Sequence, residues 1–230
     1  MSYQLVVDPS AVQEFAKKFL NHEGRNLLYL AGRRKYDPEM GNNGCLKRVP
    51  VTEQSLLYNI HHYEVPLGTL YDRNTKKSLS QKCLAVYCSV NERDVKGAIQ
   101  KMCIACLKDA FDNTYSLTKA KIQHHLQVCA KKRYLTLDLD DKKQGEQVYT
   151  LLKQHIAEFV AIETHGGYHF IFERTLLKTS DKPGSIYKAI TSIKGVDKLD
   201  NDMYSPVPGT LQGGFAVRFA PEYSWPLEHK

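Results

Sequence analysis

The sequence predicts an α+β fold of two packed modules, and three observations carry that reading. Residues 133–141, Arg-Tyr-Leu-Thr-Leu-Asp-Leu-Asp-Asp, alternate apolar and polar side chains strictly, as a strand with one buried face does. Strand-like and helix-like stretches then follow one another in a legible order as far as residue 219. The first 130 residues carry helix and strand signals of their own, and composition does not shift sharply at Arg133. Modules 1–130 and 131–230 are therefore expected to pack together, with no flexible linker between them.

In the first module, residues 3–7 could form a short strand. Asp8 or Ser10 can cap a helix to about residue 20, with Val12, Phe15, Ala16 and Phe19 on one face. Residues 27–31 are a compact apolar run, read as a strand, and the basic Arg33-Arg34-Lys35 follows. Residues 37–43 are rich in Gly, Asn and Pro and form a loop. Residues 83–90 are a strand. Asp94 can cap a helix to about residue 111, and residues 118–131 suggest another. Together these make an N-terminal α/β module.

In the second module, strand one is 133–139 and helix one about 143–157, with Val148, Leu151, Leu152 and Ile156 on a stripe. Strand two is 159–164, and His165-Gly166-Gly167 is a tight turn whose glycines can supply positive φ. Strand three is 168–173, helix two about 185–194 with Gly195 at its end, and strand four 214–219. This is the β-α-β-β-α-β, ferredoxin-like order. Its sheet runs 4-1-3-2, so strands three and four both lie beside strand one.

That arrangement gathers chemistry. Asp138 and Asp140, at i and i+2 on one strand end, make an oxygen-rich site suited to Mg²⁺ or Mn²⁺. His169, at the start of strand three, falls beside them. The loop before strand four brings Asp200 and Asp202. Three carboxylates at one edge suit two divalent cations about 3.5–4 Å apart, as used for phosphoryl transfer. Arg218 could reach a triphosphate or template backbone, and Gly213-Gly214 permits close backbone approach.

Composition limits the partners. The net charge is +7 and the pI about 9.0, which favours polyanions, nucleic acid first among them. No run approaches 18 apolar residues, so no membrane span is expected. The N-terminus lacks the pattern of a secretion signal, so the chain is expected to stay where it is made, not secreted. Six cysteines are then expected to be reduced. Cys103 and Cys106 have zinc-pair spacing, which His124, His125 and Cys129 could complete. However, Ala98, Met102, Cys103, Cys106, Leu107 and Phe111 share one helix face, so core packing is the default reading. His61-His62 lies in a polar, ambiguous stretch and carries little metal signal.

These residues resemble a family. Asp138-Leu139-Asp140, then Gly167-Tyr168-His169 after a strand and a glycine turn, then an acidic residue before residues 206–214, are similar to the archaeo-eukaryotic primase superfamily. The resemblance covers residues 133–219. It implies an RRM-like catalytic palm and template-dependent nucleotidyl transfer, a primase or polymerase activity. Its substrates would be nucleoside triphosphates and a single-stranded DNA or RNA template, with Mg²⁺ or Mn²⁺ as cofactor. It implies that Asp138, Asp140 and a third acid bind metal, the third being Asp202 or, as the alternative, Asp200. His169 would contact the triphosphate. Gly167 stands where many members have Ser, and Thr164 could supply that hydroxyl. Without a helicase segment, unwinding would need a helicase or another replication protein, wherever the replicated genome resides, the cytoplasm included.

Two rivals share the topology. A replication-initiator nuclease needs a His-apolar-His pair, and strand three offers one histidine. An RNA-binding module of RRM type could use Tyr134, Tyr168 and Phe170, but Asp138 and Asp140 would repel phosphate without metal. A catalytically degenerate primase-like domain would keep the binding residues and lose turnover.

Overall fold

The structure, a computed structural model, describes residues 1–22, 25–41, 44–72, 74–112, 125, 129–176, 192–193, 196–197 and 204–220. Helix α1 (Pro9–Phe19) starts at Asp8, whose carboxylate accepts from the Ser10 and Ala11 amides. Its Val12, Phe15, Ala16 and Phe19 are all buried. The stretch before it is no strand. It makes isolated bridges, Ser2 to Pro66 and Val6 to Thr210. Its amides go elsewhere: Leu5 and Val6 donate to Glu64 Oε1 at 2.7 and 2.9 Å, while Val7 and Asp8 donate to the Gly209 carbonyl.

Strand β1 (Asn26–Gly32) alternates buried and half-buried residues and pairs with β2 (Gly44–Val51) and β3 (Leu84–Ser89). Neither β2 nor the short α2 (Leu56–His61) has a clear period in the sequence. Strand β2 carries Lys47 and Arg48 at half-buried positions, which blurs its alternation. Helix α3 (Val95–Phe111) is capped by Asp94, which accepts from Gly97 N at 2.9 Å. The core packing expected of its Cys103 face is corrected. Ala98 is its one buried residue, Cys103 is exposed, and Leu107 and Phe111 are 61% and 87% exposed. Cys106 is half-buried and Cys129 buried. His124 and most of the helix expected over 118–131 lie outside the described residues.

Strand β4 (Tyr134–Leu139) leads into α4 (Gly145–His155), then β5 (Val160–Glu163), β6 (Tyr168–Glu173) and β7 (Val196–Asp197). The last segment gives β8 (Tyr204–Pro206), β9 (Leu211–Gln212), β10 (Phe215–Ala216) and β11 (Arg218–Phe219). Most of helix two of the sequence reading, with Gly195, lies outside the described residues, and Ser192 and Ile193 form a turn.

Every described strand pairing is antiparallel. One sheet runs β10-β9-β3-β1-β2, with β8 also on β3. The other runs β11-β5-β6-β4-β7. Two expectations change here. The first sheet is antiparallel throughout and takes three strands from residues 204–216, so the sheets do not follow a division at residue 130. Strand four, expected unbroken beside strand one, divides at Val217: β10 joins the first sheet and β11 pairs with β5. Gly213 and Gly214, at φ 63° and 80°, form a two-residue hairpin turn that folds β10 back onto β9. The place beside β4 is taken by β7.

The second sheet has two covered faces. Leu137, Leu139, Ala161, Phe170 and Phe172 pack against Val148 and Leu152 of α4. Val160, Ile162 and Ile171, on the other face, join the core built by β1, β3, α1 and α2. The two sheets thus share one hydrophobic core. No described helix is long and apolar enough to cross a membrane.

Glu64 anchors the N-terminus and gives a stability test. Burial alone would raise its pKa, but hydrogen bonds from His61 and from the Val6 and Leu5 amides hold it below the usual carboxylate value. A depressed folded pKa stabilises fully above the unfolded value near 4.3 and is lost as pH falls through the folded one. Glu64→Ala should cost about 1.5–3 kcal/mol at pH 7. Urea melts of both proteins should converge as the pH is lowered below about 4.

Candidate active site at the carboxylate end of the second sheet

Register fixes the centre of the site. Strands β4 and β6 pair with Asp138 directly opposite His169, and Ile162 lies beyond His169 on β5. Opposed residues of an antiparallel pair share a face. Asp138 and His169 therefore lie on the Ile162 face, turned toward the first sheet. His169 Nε2 stands 3.0 Å from Asp138 Oδ1. His169 is 7% exposed, and its Nδ1 has no hydrogen-bond partner among the described residues.

Burial by itself would raise the Asp138 pKa. The adjacent His169, through charge and hydrogen bond, and the charges of Lys35 and Arg33 outweigh it and hold the carboxyl below the usual range. Asp138 is therefore an anion at neutral pH. Asp140 follows at the strand end, more open to water, with Lys35 Nζ 3.9 Å from its Oδ1. The two carboxylates share one counter-charge, Lys35, from the segment after β1.

That segment is a wall of the site that sequence reasoning missed. Arg33-Arg34-Lys35 was legible as a basic cluster, but nothing local joined it to residues a hundred positions away. The Arg33 guanidinium lies 5.5 Å over the Tyr87 ring, and Tyr36 meets His165 edge-on at 5.0 Å. Burial first, then the nearby Tyr87, raises the Tyr36 hydroxyl pKa, and Asp140 and Asp138 add to this. Arg33 Nε and the Tyr36 hydroxyl are buried without hydrogen-bond partners among the described residues. Gln212 closes the wall, donating to the Tyr87 hydroxyl at 2.8 Å and accepting from His165 N at 3.3 Å.

The other expected site residues divide. Gly167 belongs here for a steric reason. Its φ is not positive, contrary to the turn reading, but a Cβ there would lie 1.6 Å from the Leu139 carbonyl oxygen. The strand end bearing the carboxylates packs onto that bare backbone. The Thr164 hydroxyl accepts from Gly167 N at 3.1 Å and donates to Gly167 O at 3.2 Å, so it staples the turn. Arg218 is placed away from the carboxylates. It sits opposite Glu163 on β11, on the reverse face of the sheet from Asp138, with Nε 2.7 Å from Glu163 Oε2. Its expected place assumed strand four beside strand one, and β11 pairs with β5. Gly213 packs on Tyr36, where a Cβ would come within 2.7 Å of the ring, and the Gly209 carbonyl holds the N-terminal amides.

Asp200 and Asp202 lie outside the described residues. Register instead puts residue 197 directly opposite Asp138. Among the described residues no three His, Cys, Asp or Glu side chains are close enough to share a metal ion, at the carboxylates or at the cysteines. Asp138 and Asp140 fit two hard oxygen donors for a divalent cation. No family model, curated protein or solved structure matches the chain.

Proposed function

We propose that this chain is a template-dependent nucleotidyltransferase of the primase-polymerase kind, acting on nucleoside triphosphates along single-stranded nucleic acid. One observation carries the reading most. An ionised Asp138 is paired in register with a buried histidine, beside Asp140, and Lys35, from the segment after β1, stands near both acids. The order β4-α4-β5-β6-β7, with sheet order β5-β6-β4-β7, supports a ferredoxin-like or RRM-like palm.

In this reading Asp138 and Asp140 hold Mg²⁺ or Mn²⁺, with Asp202 or, as the alternative, Asp200 as the third acid. The metal, when bound, neutralises charge on the phosphates. The chain's own residues do the rest. His169 holds one Asp138 oxygen in place and keeps the carboxylate ionised. Arg33 and Lys35 supply positive charge for the triphosphate, and the buried Tyr36 hydroxyl and Arg33 Nε are donors for its oxygens. Gly167 keeps the strand end seated.

The deciding assay incubates the protein with single-stranded template, labelled nucleotides and Mn²⁺, with and without primer. Extension that needs template and metal supports the reading. The second reading, a binding domain without turnover, is favoured by Lys35 standing against Asp140. Template binding with no extension under any metal would select it.

His169→Ala tests the division of labour. The histidine touches Asp138, and no contact to the first sheet's aromatic face is expected of it. Loss of one charge-assisted bond, about 1.5–3 kcal/mol, should lower kcat/KM for nucleotide about ten- to a hundredfold. Single-strand affinity measured without nucleotide should stay unchanged. A variant weakened in template binding with normal nucleotide kinetics would move His169 into the nucleic-acid groove.

A further inference from the structure

The face of the first sheet turned away from the shared core carries a second pattern. Arg48, Tyr29 and Tyr87 are cross-strand partners in one row over β2, β1 and β3. The Arg48 guanidinium lies 4.3 Å over the Tyr29 ring, and Tyr29 meets Tyr204 at 4.3 Å. Arg93 lies 5.5 Å over Tyr204. At the row's other end Arg33 covers Tyr87, and the charge of Arg33 is felt by Asp138. A row of phenol rings with guanidinium groups at both ends thus runs across the sheet from the side of the carboxylates.

We propose that this row is the track for a single strand of nucleic acid, with Arg48 holding a backbone phosphate at its outer end. The inference rests on the nucleotidyltransferase reading for its direction, and its chemistry stands on the row itself. A guanidinium stacked on a ring keeps its plane fixed and its N–H edges directed sideways, the geometry that phosphate oxygens accept. Arg48 and Arg93 are close enough for like-charge repulsion. Burial lowers the Arg48 pKa most, the Tyr204 effect opposes it, and the Arg93 charge adds a smaller lowering. A polyanion relieves the repulsion, and the net charge of +7 suits one. Tyr29, Arg48 and Tyr204 are each partly open to solvent.

The test is fluorescence anisotropy of labelled single-stranded DNA and RNA of mixed sequence, titrated with the whole protein across a salt series. Arg48→Gln should weaken binding about tenfold and flatten the slope of log K against log salt by about 0.7, the effect of one lost phosphate contact on a single strand. Tyr29→Ala, which frees the Arg48 plane, should weaken binding severalfold, and Tyr29→Phe should bind as wild type. If Arg48→Gln does not fold, Arg48→Lys takes its place: the slope should hold while affinity falls severalfold. A folded Arg48→Gln, or failing that Arg48→Lys, with unchanged affinity overturns the track. The two ideas fail separately. No extension by wild type with Arg48-dependent binding defeats the enzyme reading alone, and extension with Arg48-independent binding defeats the track alone.

Discussion

Asp138→Asn should leave a folded protein that no longer extends a primer. The asparagine keeps an oxygen for His169 but carries no charge to bind metal. Several kcal/mol of transition-state stabilisation go with it, so the rate should fall by about a thousandfold or more. Stability should fall modestly, by about 1–2 kcal/mol at neutral pH, because Asp138 is hydrogen-bonded to His169 and lies near the charges of Lys35 and Arg33. From sequence, two neighbouring carboxylates suggest mutual repulsion, and removing one would then relieve strain. The structure reverses that sign. Single-turnover extension in Mn²⁺ measures the first effect and a thermal melt the second. Retained extension by Asp138→Asn and by Asp140→Asn would refute the assignment of both acids to metal.

Gly167→Ala is the second large effect, and it acts on the backbone. A Cβ 1.6 Å from the Leu139 carbonyl oxygen, 2.7 Å from its carbonyl carbon and 3.1 Å from Asp140 Cα meets main chain at every point. Main chain cannot step aside as a long side chain can. Either the turn or the end of β4 must move, at a cost of about 3 kcal/mol or more. For a chain of this size that lowers the melting temperature by roughly 6–12 °C. Because Leu139 and Asp140 are the atoms struck, nucleotide transfer should fall further than stability explains. Gly166→Ala is the control. Its Cβ would meet Asp140 Oδ1 at 3.9 Å and Lys35 Nζ at 4.0 Å, ordinary contacts, and it should melt as wild type. Equal melting of the two variants would remove the steric role of Gly167.

Much of the second sheet was legible because its strands obey a period and its acids stand two apart on one of them. Leu135, Leu137 and Leu139 announced β4, and the glycines after Thr164 announced the turn to β6. The pairing of Asp138 with His169 then followed from topology. The wall formed by Arg33, Lys35 and Tyr36 did not follow, since it depends on how two sheets pack, which no local pattern encodes. Helix α3 misled because its apolar residues keep a helical spacing while its described surroundings bury Ala98 alone. Strand β11 misled because the turn at Gly213-Gly214 redirects the chain before it can reach β4. Its short pairing with β5 then carries Arg218 to the reverse face.

The first sheet's debt to residues 204–216 bears on how the chain folds. The inner strand β3 is buried along all six residues, and its outer edge is closed by β8 and β9. Those partners are made more than a hundred residues later. During synthesis at about 5–20 residues per second, a nascent chain that has formed β1, β2 and β3 waits several seconds with an apolar edge unpaired. An edge of this kind is a template for pairing with other chains. The late closure also gives the sheet contacts of high sequence separation, which slow folding because distant segments must meet before they gain anything. The first sheet is thus completed only by the strands that follow Asp138 and Asp140 in the chain.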